Sequence, residues 1–232
     1  MLMDVLNDDS MVVRLHSLEA INQIATHGYM KVQEIHMDMF LGTLLDNSTL
    51  IRTETRKILR SVKLPNINVF KSCVDGLLQN LEIYSKDEAD IFSLLFKIGR
   101  AHGNFIPPII KVFFPEMESS CKEKLDFDNA RVAALLMLAI SAPLSYEKPS
   151  PSVPPRIFSY AAAFFGRFAC ALSDVMSKST FLAYLSYCSR FTVTAESHSS
   201  EEDSFPLAEG DISNYISGHL ASAPKESLSE LC

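Results

Sequence analysis

Arg52, Arg56, Arg60 and Lys63 are spaced four, four and three residues apart, which puts them on one face of an α-helix. Lys57 flanks the row, and Glu54 is the one acid between positions 52 and 63. Fixed cations in a row can cradle nucleic-acid phosphates or an acidic partner protein. No aromatic residues interleave, so the row lacks platforms on which bases could stack. The plainer alternative is a solvated helix face in which Arg52 is committed to packing between helices.

Other candidate chemistry is sparse. The histidines are His16, His27, His36, His102, His198 and His219, and none forms His-Glu-x-x-His or pairs with cysteine at zinc spacing. His27 and His102 stand beside Gly28 and Gly103, where closing a helix end is the simple role. No nucleophile-elbow, phosphate-loop or dinucleotide-loop pattern occurs. The acidic pairs Asp8/Asp9 and Asp87/Glu88 fall at expected helix starts, where the helix dipole favours them. The reading is therefore a non-enzymatic chain with no cofactor and no metal. Asn47-Ser48-Thr49 matches a glycosylation sequon but reads as a helix cap. Ser199 and Ser200 precede Glu201, Glu202 and Asp203 and suit an acid-directed kinase, which would add nearly two charges at each site. The alternative there is an inert solubilising tail.

These residues must be carried by helices. The chain has 232 residues, 47% of them apolar, with 8 glycines and no tryptophan. That suffices for one sizeable core or one solenoid segment. Few turn dipeptides and few glycines favour an all-α fold. The net charge of −7 lies in the tail: residues 196–232 hold eight acids and one lysine, Lys225, whereas residues 1–195 are balanced. Five scattered cysteines, with no Cys-x-x-Cys pair, read as reduced thiols rather than a disulfide framework. The start Met1-Leu2-Met3-Asp4 does not read as a signal peptide. The longest apolar run, 157–166, is about half the length a bilayer span needs. No membrane association is expected.

Apolar spacing predicts helices over about 10–27, 30–45, 49–62, 66–83, 86–101, 107–114, 127–141, 155–171 and 173–191. Val13, Leu18, Ile21, Ile24 and Ala25 form the expected inward stripe of the first, and Val32, Ile35, Met39, Phe40 and Leu44 that of the second. Ser10 or Asp9, and Asn47 or Ser48, are expected caps. Ser85 with Glu88 has capping-box spacing. Ala25–Tyr29 and Ala101–Phe105 read as the same corner. Tyr160, Phe164, Phe165 and Phe168 make an aromatic face, expected in the core, with a subunit interface as the alternative. Residues 1–142 read as stacked helical repeats and 143–155 as a proline-rich linker. Residues 156–194 read as a further helical pair, and 195–232 as a disordered serine and acidic tail with one helical turn near Ile212–His219.

The repeat is visible in the text. Asp9-Ser10-Met11-Val12-Val13-Arg14 recurs as Asn47-Ser48-Thr49-Leu50-Ile51-Arg52 and returns as Asp126-Phe127-Asp128-Asn129-Ala130-Arg131. A period near 40 marks stacked helical pairs. The pattern Asp-x-x-x-Val-Arg resembles HEAT and armadillo repeats, and the resemblance implies an inter-repeat ladder of Asp9/Arg14, Asn47/Arg52 and Asp126/Arg131. Ser85 and Asp90 stand at the two ladder positions of the third repeat, so a break in the ladder is expected there.

The wording of residues 36–52 and of 75–82 resembles the Integrator complex subunit 4 family, closest to its plant form, described as an armadillo-repeat protein that binds transcription regulators. The resemblance covers about 4–140 and carries no catalytic motif. It implies a scaffold subunit of a nuclear RNA-processing complex, acting in small nuclear RNA 3′-end processing and RNA polymerase II transcription control. The implied partners are other subunits, nuclease-related ones among them, with RNA or transcription factors as further partners. The implied location is the nucleus, with the cytoplasm as the alternative. Because the chain opens on the second helix of a repeat, it reads as a C-terminal fragment, or a truncated form, of a longer protein. The competing reading is an adaptor for transcription factors or trafficking cargo, and the lack of tryptophan weighs against it. An autonomous nucleic-acid binder is a third reading, weaker again.

Overall fold

The computed structural model describes residues 3–30, 32–123, 129–145 and 153–197. Among them there are ten α-helices, four short 3-10 turns and no strand. The helices are α1 (Met11–Thr26), α2 (Glu34–Leu44), α3 (Thr49–Ser61), α4 (Ile67–Ile83) and α5 (Glu88–Ala101), followed by α6 (Ile106–Glu123), α7 (Ala130–Ser141), α8 (Arg156–Ala163), α9 (Phe165–Ala171) and α10 (Lys178–Ser197). The 3-10 turns are Asp4–Asn7, Ser85–Asp87, Gly103–Phe105 and Ala142–Leu144.

Four helix starts use one of two local devices. Asn66 and Asn129 cap α4 and α7 directly, their side chains accepting from Val69 and Val132 backbone N–H groups. Ser10 and Ser48 hold the cap positions of α1 and α3, but their hydroxyls make no cap bond. The carboxylates of Asp8 and Asp46 instead accept the Ser10 and Ser48 N–H groups at 2.8 and 2.7 Å. The expected capping box at Ser85/Glu88 is absent as well. A 3-10 turn separates Ser85 from α5, and Glu88 is engaged by Arg167. Gly28 leaves α1 at φ +74°, a left-handed conformation that favours glycine.

The helices form two layers. In one, α1, α3, α5 and α7 lie side by side; in the other, α2 packs on α4, and each helix of this layer also meets its partner as α2/α3, α4/α5 and α6/α7. This is a solenoid of antiparallel helix pairs with a continuous apolar core. Ile51, Ile58 and Leu59 of α3, Val62 just past its end, and Ile91, Leu94, Leu95 and Ile98 of α5 are buried as their spacing predicts. Gly99 sits where an added Cβ would meet Ser141, Ile106 and Leu138, so α5 and α7 approach closely there.

Several boundaries differ from expectation for local reasons. α6 continues through Pro115 to Glu123; Phe113 and Phe114 pack against the core in the turn where the proline withholds a donor. The single helix expected over 155–171 divides at Phe164. Phe164 is buried and stacks on Phe168, which meets Phe92 of α5 edge-on at 5.6 Å. α10 starts late because Ser177 accepts the Thr180 N–H.

The helices after the proline-rich segment do not extend the two layers. α8 packs on α7, α10 on α8, and α9 on α5. Arg167 grips Glu88 through two bonds of 2.9 and 2.6 Å, and Lys97 pairs with Asp174. The outer ridge of α5 is therefore covered. The matching ridges of α1 (Val12, His16, Glu19) and α3 (Leu50, Lys57) stay exposed.

Candidate functional site

The chemistry-bearing residues of α3 meet the turn before α5 in one polar network. Arg52 donates Nε–H to Asp87 at 2.6 Å and directs its Nη1 to the carbonyls of Asp46 and Asn47. Arg56 donates to Asp87 and to Asn80 Oδ1, at 2.9 and 3.0 Å, and pairs with Asp90. Arg60 also pairs with Asp90. Arg52 and Arg56 retain only 4% and 2% of their exposure. Burial pushes the Asp87 carboxyl up, but the Arg52 hydrogen bond and the Arg56 charge outweigh it and hold that carboxyl below its ordinary value. Asp90 behaves alike: burial raises it, and the Arg60 and Arg56 contacts lower it further.

The expected basic face is thus not one surface. Steps of four align arginines along a helix, but the flank they share is turned toward α5, where two aspartates neutralise them. Lys57 is 49% exposed and contacts Glu54, while Lys63 is exposed. Arg60 lies between these extremes.

The ladder is present with different acids. Arg14 pairs with Asp46 through Nε and Nη2, at 3.0 and 2.9 Å. Asp9 supplies only its backbone carbonyl to Arg14, as Asn47 does to Arg52. The ladder acid therefore stands one residue earlier than expected in its repeat. At the third repeat the acid side of the ladder is kept by a substitution, whereas Asp90, at the arginine position, is a carboxylate and offers no donor to the following repeat. Tyr84 takes the place of Asp46, since each lies 32 positions beyond its arginine, and the Arg52 guanidinium rests 3.6 Å above the Tyr84 ring. The ion pair moves one helical turn onward to Asp87. The Tyr84 hydroxyl donates to the Leu45 carbonyl and also contacts Asn47 Oδ1. Asp90, expected as a gap in the ladder, receives Arg56 and Arg60. Arg131 meets Glu82 at 3.3 Å and the Phe113 ring; its expected partner Asp126 lies outside the described residues.

Asp46, Asn80, Tyr84 and Asp87 are the residues that sequence reasoning missed. The recurrence of Asp8 as Asp46 at an interval of 38 was available as a signal. Nothing in local spacing marks Asn80 or Asp87, because their roles arise from a contact between repeats.

The two corner histidines part company. His27 is exposed and bonds to the Gln23 carbonyl through its ring. His102 is buried, and its Nε2 accepts the Leu64 N–H at 3.3 Å, joining two repeats. Among the described residues no group of three or more His, Cys, Asp and Glu side chains could hold a metal ion. Burial pushes the Cys73 thiol up to about 12, which leaves it unreactive. No helix among the described residues is long and apolar enough to cross a membrane. Ser199, Ser200, the tail from 198 and the proline-rich stretch 146–152 lie outside the described residues.

The sequence matches no protein-family model. It is 39% identical over 224 residues to Protein SIEL of Arabidopsis thaliana, covering 97% of this chain and 24% of that protein. It is 29% identical over 101 residues to the Integrator complex subunit 4 homolog of Dictyostelium discoideum, covering 44% of this chain and 8% of that protein. With Integrator complex subunit 4 of Homo sapiens it shares 25% identity over 153 residues, 66% of this chain and 15% of that protein. The chain spans about a quarter of the length of its plant relative and less of the others. It is an all-α helical-repeat protein of the armadillo/HEAT kind, related to plant Protein SIEL and distantly to Integrator complex subunit 4.

Proposed function

We propose that this chain is a scaffold subunit of an Integrator-like nuclear assembly that trims small nuclear RNA 3′ ends and controls RNA polymerase II transcripts. The carrying observation is the relatedness to Integrator complex subunit 4 of three organisms, running through helical-repeat sequence. The structure supports the scaffold part of the reading, because its most concentrated ionic residues are consumed in holding repeats together. Catalysis belongs to a partner in this reading, and this chain contributes surface. Lys57 and the rim of Arg60 on α3, with Lys63 just past its end, are the positions that would meet RNA or an acidic neighbour. Ser199 and Ser200 would tune such contacts when phosphorylated.

Affinity purification of the tagged chain from native nuclear extract, followed by mass spectrometry, tests the proposal. Nuclease-related Integrator subunits should co-purify, and deleting residues 1–140 should remove them. Recovery of transcription factors or transport receptors without any RNA-processing subunit would instead make the chain an adaptor.

A further inference from the structure

His102 closes a joint between two corners by accepting a hydrogen bond. Its Nε2 takes the Leu64 N–H at 3.3 Å, and both residues are 2% exposed. An imidazole nitrogen accepts only while unprotonated, so this ring is neutral with its proton on Nδ1. The bond ties the connector between α3 and α4 to the corner between α5 and α6. Phe70 of α4 meets the ring edge-on at 5.7 Å, and Phe105 stacks on it at 5.9 Å. A Cβ on the adjoining Gly103 would run into Ser145, so the corner is pressed onto the turn after α7.

The charges on the elements packed around this ring do not favour a cation. They are Lys63 on the connector, Lys71 on α4, Lys97 and Arg100 on α5, Lys111 on α6 and Arg131 at the far end of α7. No carboxylate occurs in residues 62–74, 91–115 or 129–145. Asp75 of α4 is exposed, and Asp90 of α5 is held by Arg56 and Arg60. The acids of α6 begin at Glu116, about 15 Å along the helix from the corner. The other described histidines tolerate charge. His16 faces Glu19, and His27 donates to the Gln23 carbonyl, a bond that a charged ring keeps. His36 accepts the Gln33 N–H, but at a helix start open to water.

We propose that His102 is an acid-sensitive latch: protonation withdraws the acceptor, sets N–H against N–H, and releases the connector at residues 62–66 from the α5–α6 corner. The charged ring is accommodated only in the opened joint, so opening takes up one proton. Its equilibrium therefore rises about tenfold for each pH unit below about 6.5, where a free imidazole titrates. The aspartate network stays intact down to about pH 4, so the latch opens first.

Amide exchange of the isotope-labelled full chain between about pH 8 and about pH 5 tests the latch. The protection factor of Leu64 should be constant above about pH 7 and fall about tenfold per pH unit below about 6.5. Nitrogen–proton correlation spectra of the ring should show the Nδ1–H tautomer at about pH 8. His102→Gln supplies an acceptor oxygen at similar reach without a titrating group, and its Leu64 protection should not vary with pH. Leu64 protection that is flat with pH in the native chain overturns the proposal, whether or not the variant folds. So does an Nε2–H tautomer, or a His102→Gln chain whose protection falls as steeply as the native one.

Discussion

Arg52 is held from two directions at once: its Nε–H bonds to Asp87 at 2.6 Å, and the Tyr84 ring lies 3.6 Å beneath its guanidinium. Both contacts cross from one repeat to the next. A buried guanidinium needs a counter-charge and filled donors, and this one has both, with two backbone carbonyls completing the set. Arg52, which the sequence places both in the basic row and in the inter-repeat ladder, is therefore a joint of the stack.

Tyr84 separates the two halves of that joint. Tyr84→Phe keeps the ring and removes the hydroxyl bond to Leu45; it should cost about 1 kcal/mol. Tyr84→Leu also removes the cation–π contact and should cost about 2 kcal/mol. Urea unfolding checks the order. Equal losses would mean that the ring contact contributes nothing.

The network sets the acid limit. The folded carboxyls of Asp87 and Asp90 titrate below their ordinary value, so their contribution to stability is fully present above about pH 4, where the unfolded carboxyls ionise. It disappears as pH falls through the lower folded values. Thermal midpoints should drop steeply below about pH 4. Asp87→Asn with Asp90→Asn should be less stable at neutral pH and show a shallower acid slope. Parallel acid curves for the two chains would contradict the assignment.

The C-terminal helices depend on a second interlock. Arg167→Ala removes both bonds to Glu88 and the contacts with Phe92 and Phe164. A loss of about 1–3 kcal/mol is expected. Hydrogen exchange should quicken in α8–α10 while the midpoint of α2 and α4 exchange stays unchanged. Uniform acceleration along the chain would show that these helices are not a separable layer.

The helix order, the paired architecture and most of the core were legible, because periodic apolar spacing reports which face of a helix is dry. Ile58, Leu77 and Leu95 illustrate it. Spacing does not report what lies opposite a polar residue. Arg56 and Lys57 are neighbours in sequence, yet one is buried against two aspartates and the other faces solvent. Val13 and Ile24 fail in the opposite sense: they are apolar at inward spacing, but nothing among the described residues covers them fully. Asp87 has the position of a dipole-favoured helix start, and its pairing with α3 depends on a contact 35 residues away.

Lys57 and Lys63 separate surface from joint. Lys57→Gln with Lys63→Gln should leave stability within about 0.5 kcal/mol. If the assembly presents α3 to RNA, the same pair should lower the salt slope of RNA binding by about 1–2. Filter binding across a salt series reads this directly. Unchanged slope and affinity would remove these lysines from the RNA-contacting surface.

Arg56 carries the central claim that the α3 arginines tie repeats together. Equilibrium urea unfolding of Arg56→Met is the direct measurement. Removing this guanidinium leaves Asp87 and Asn80 buried without it and takes one partner from the half-buried Asp90, and the expected loss is about 3–5 kcal/mol. A variant with native stability, and with loss confined to partner or RNA binding, would contradict the account and return Arg56 to the binding surface.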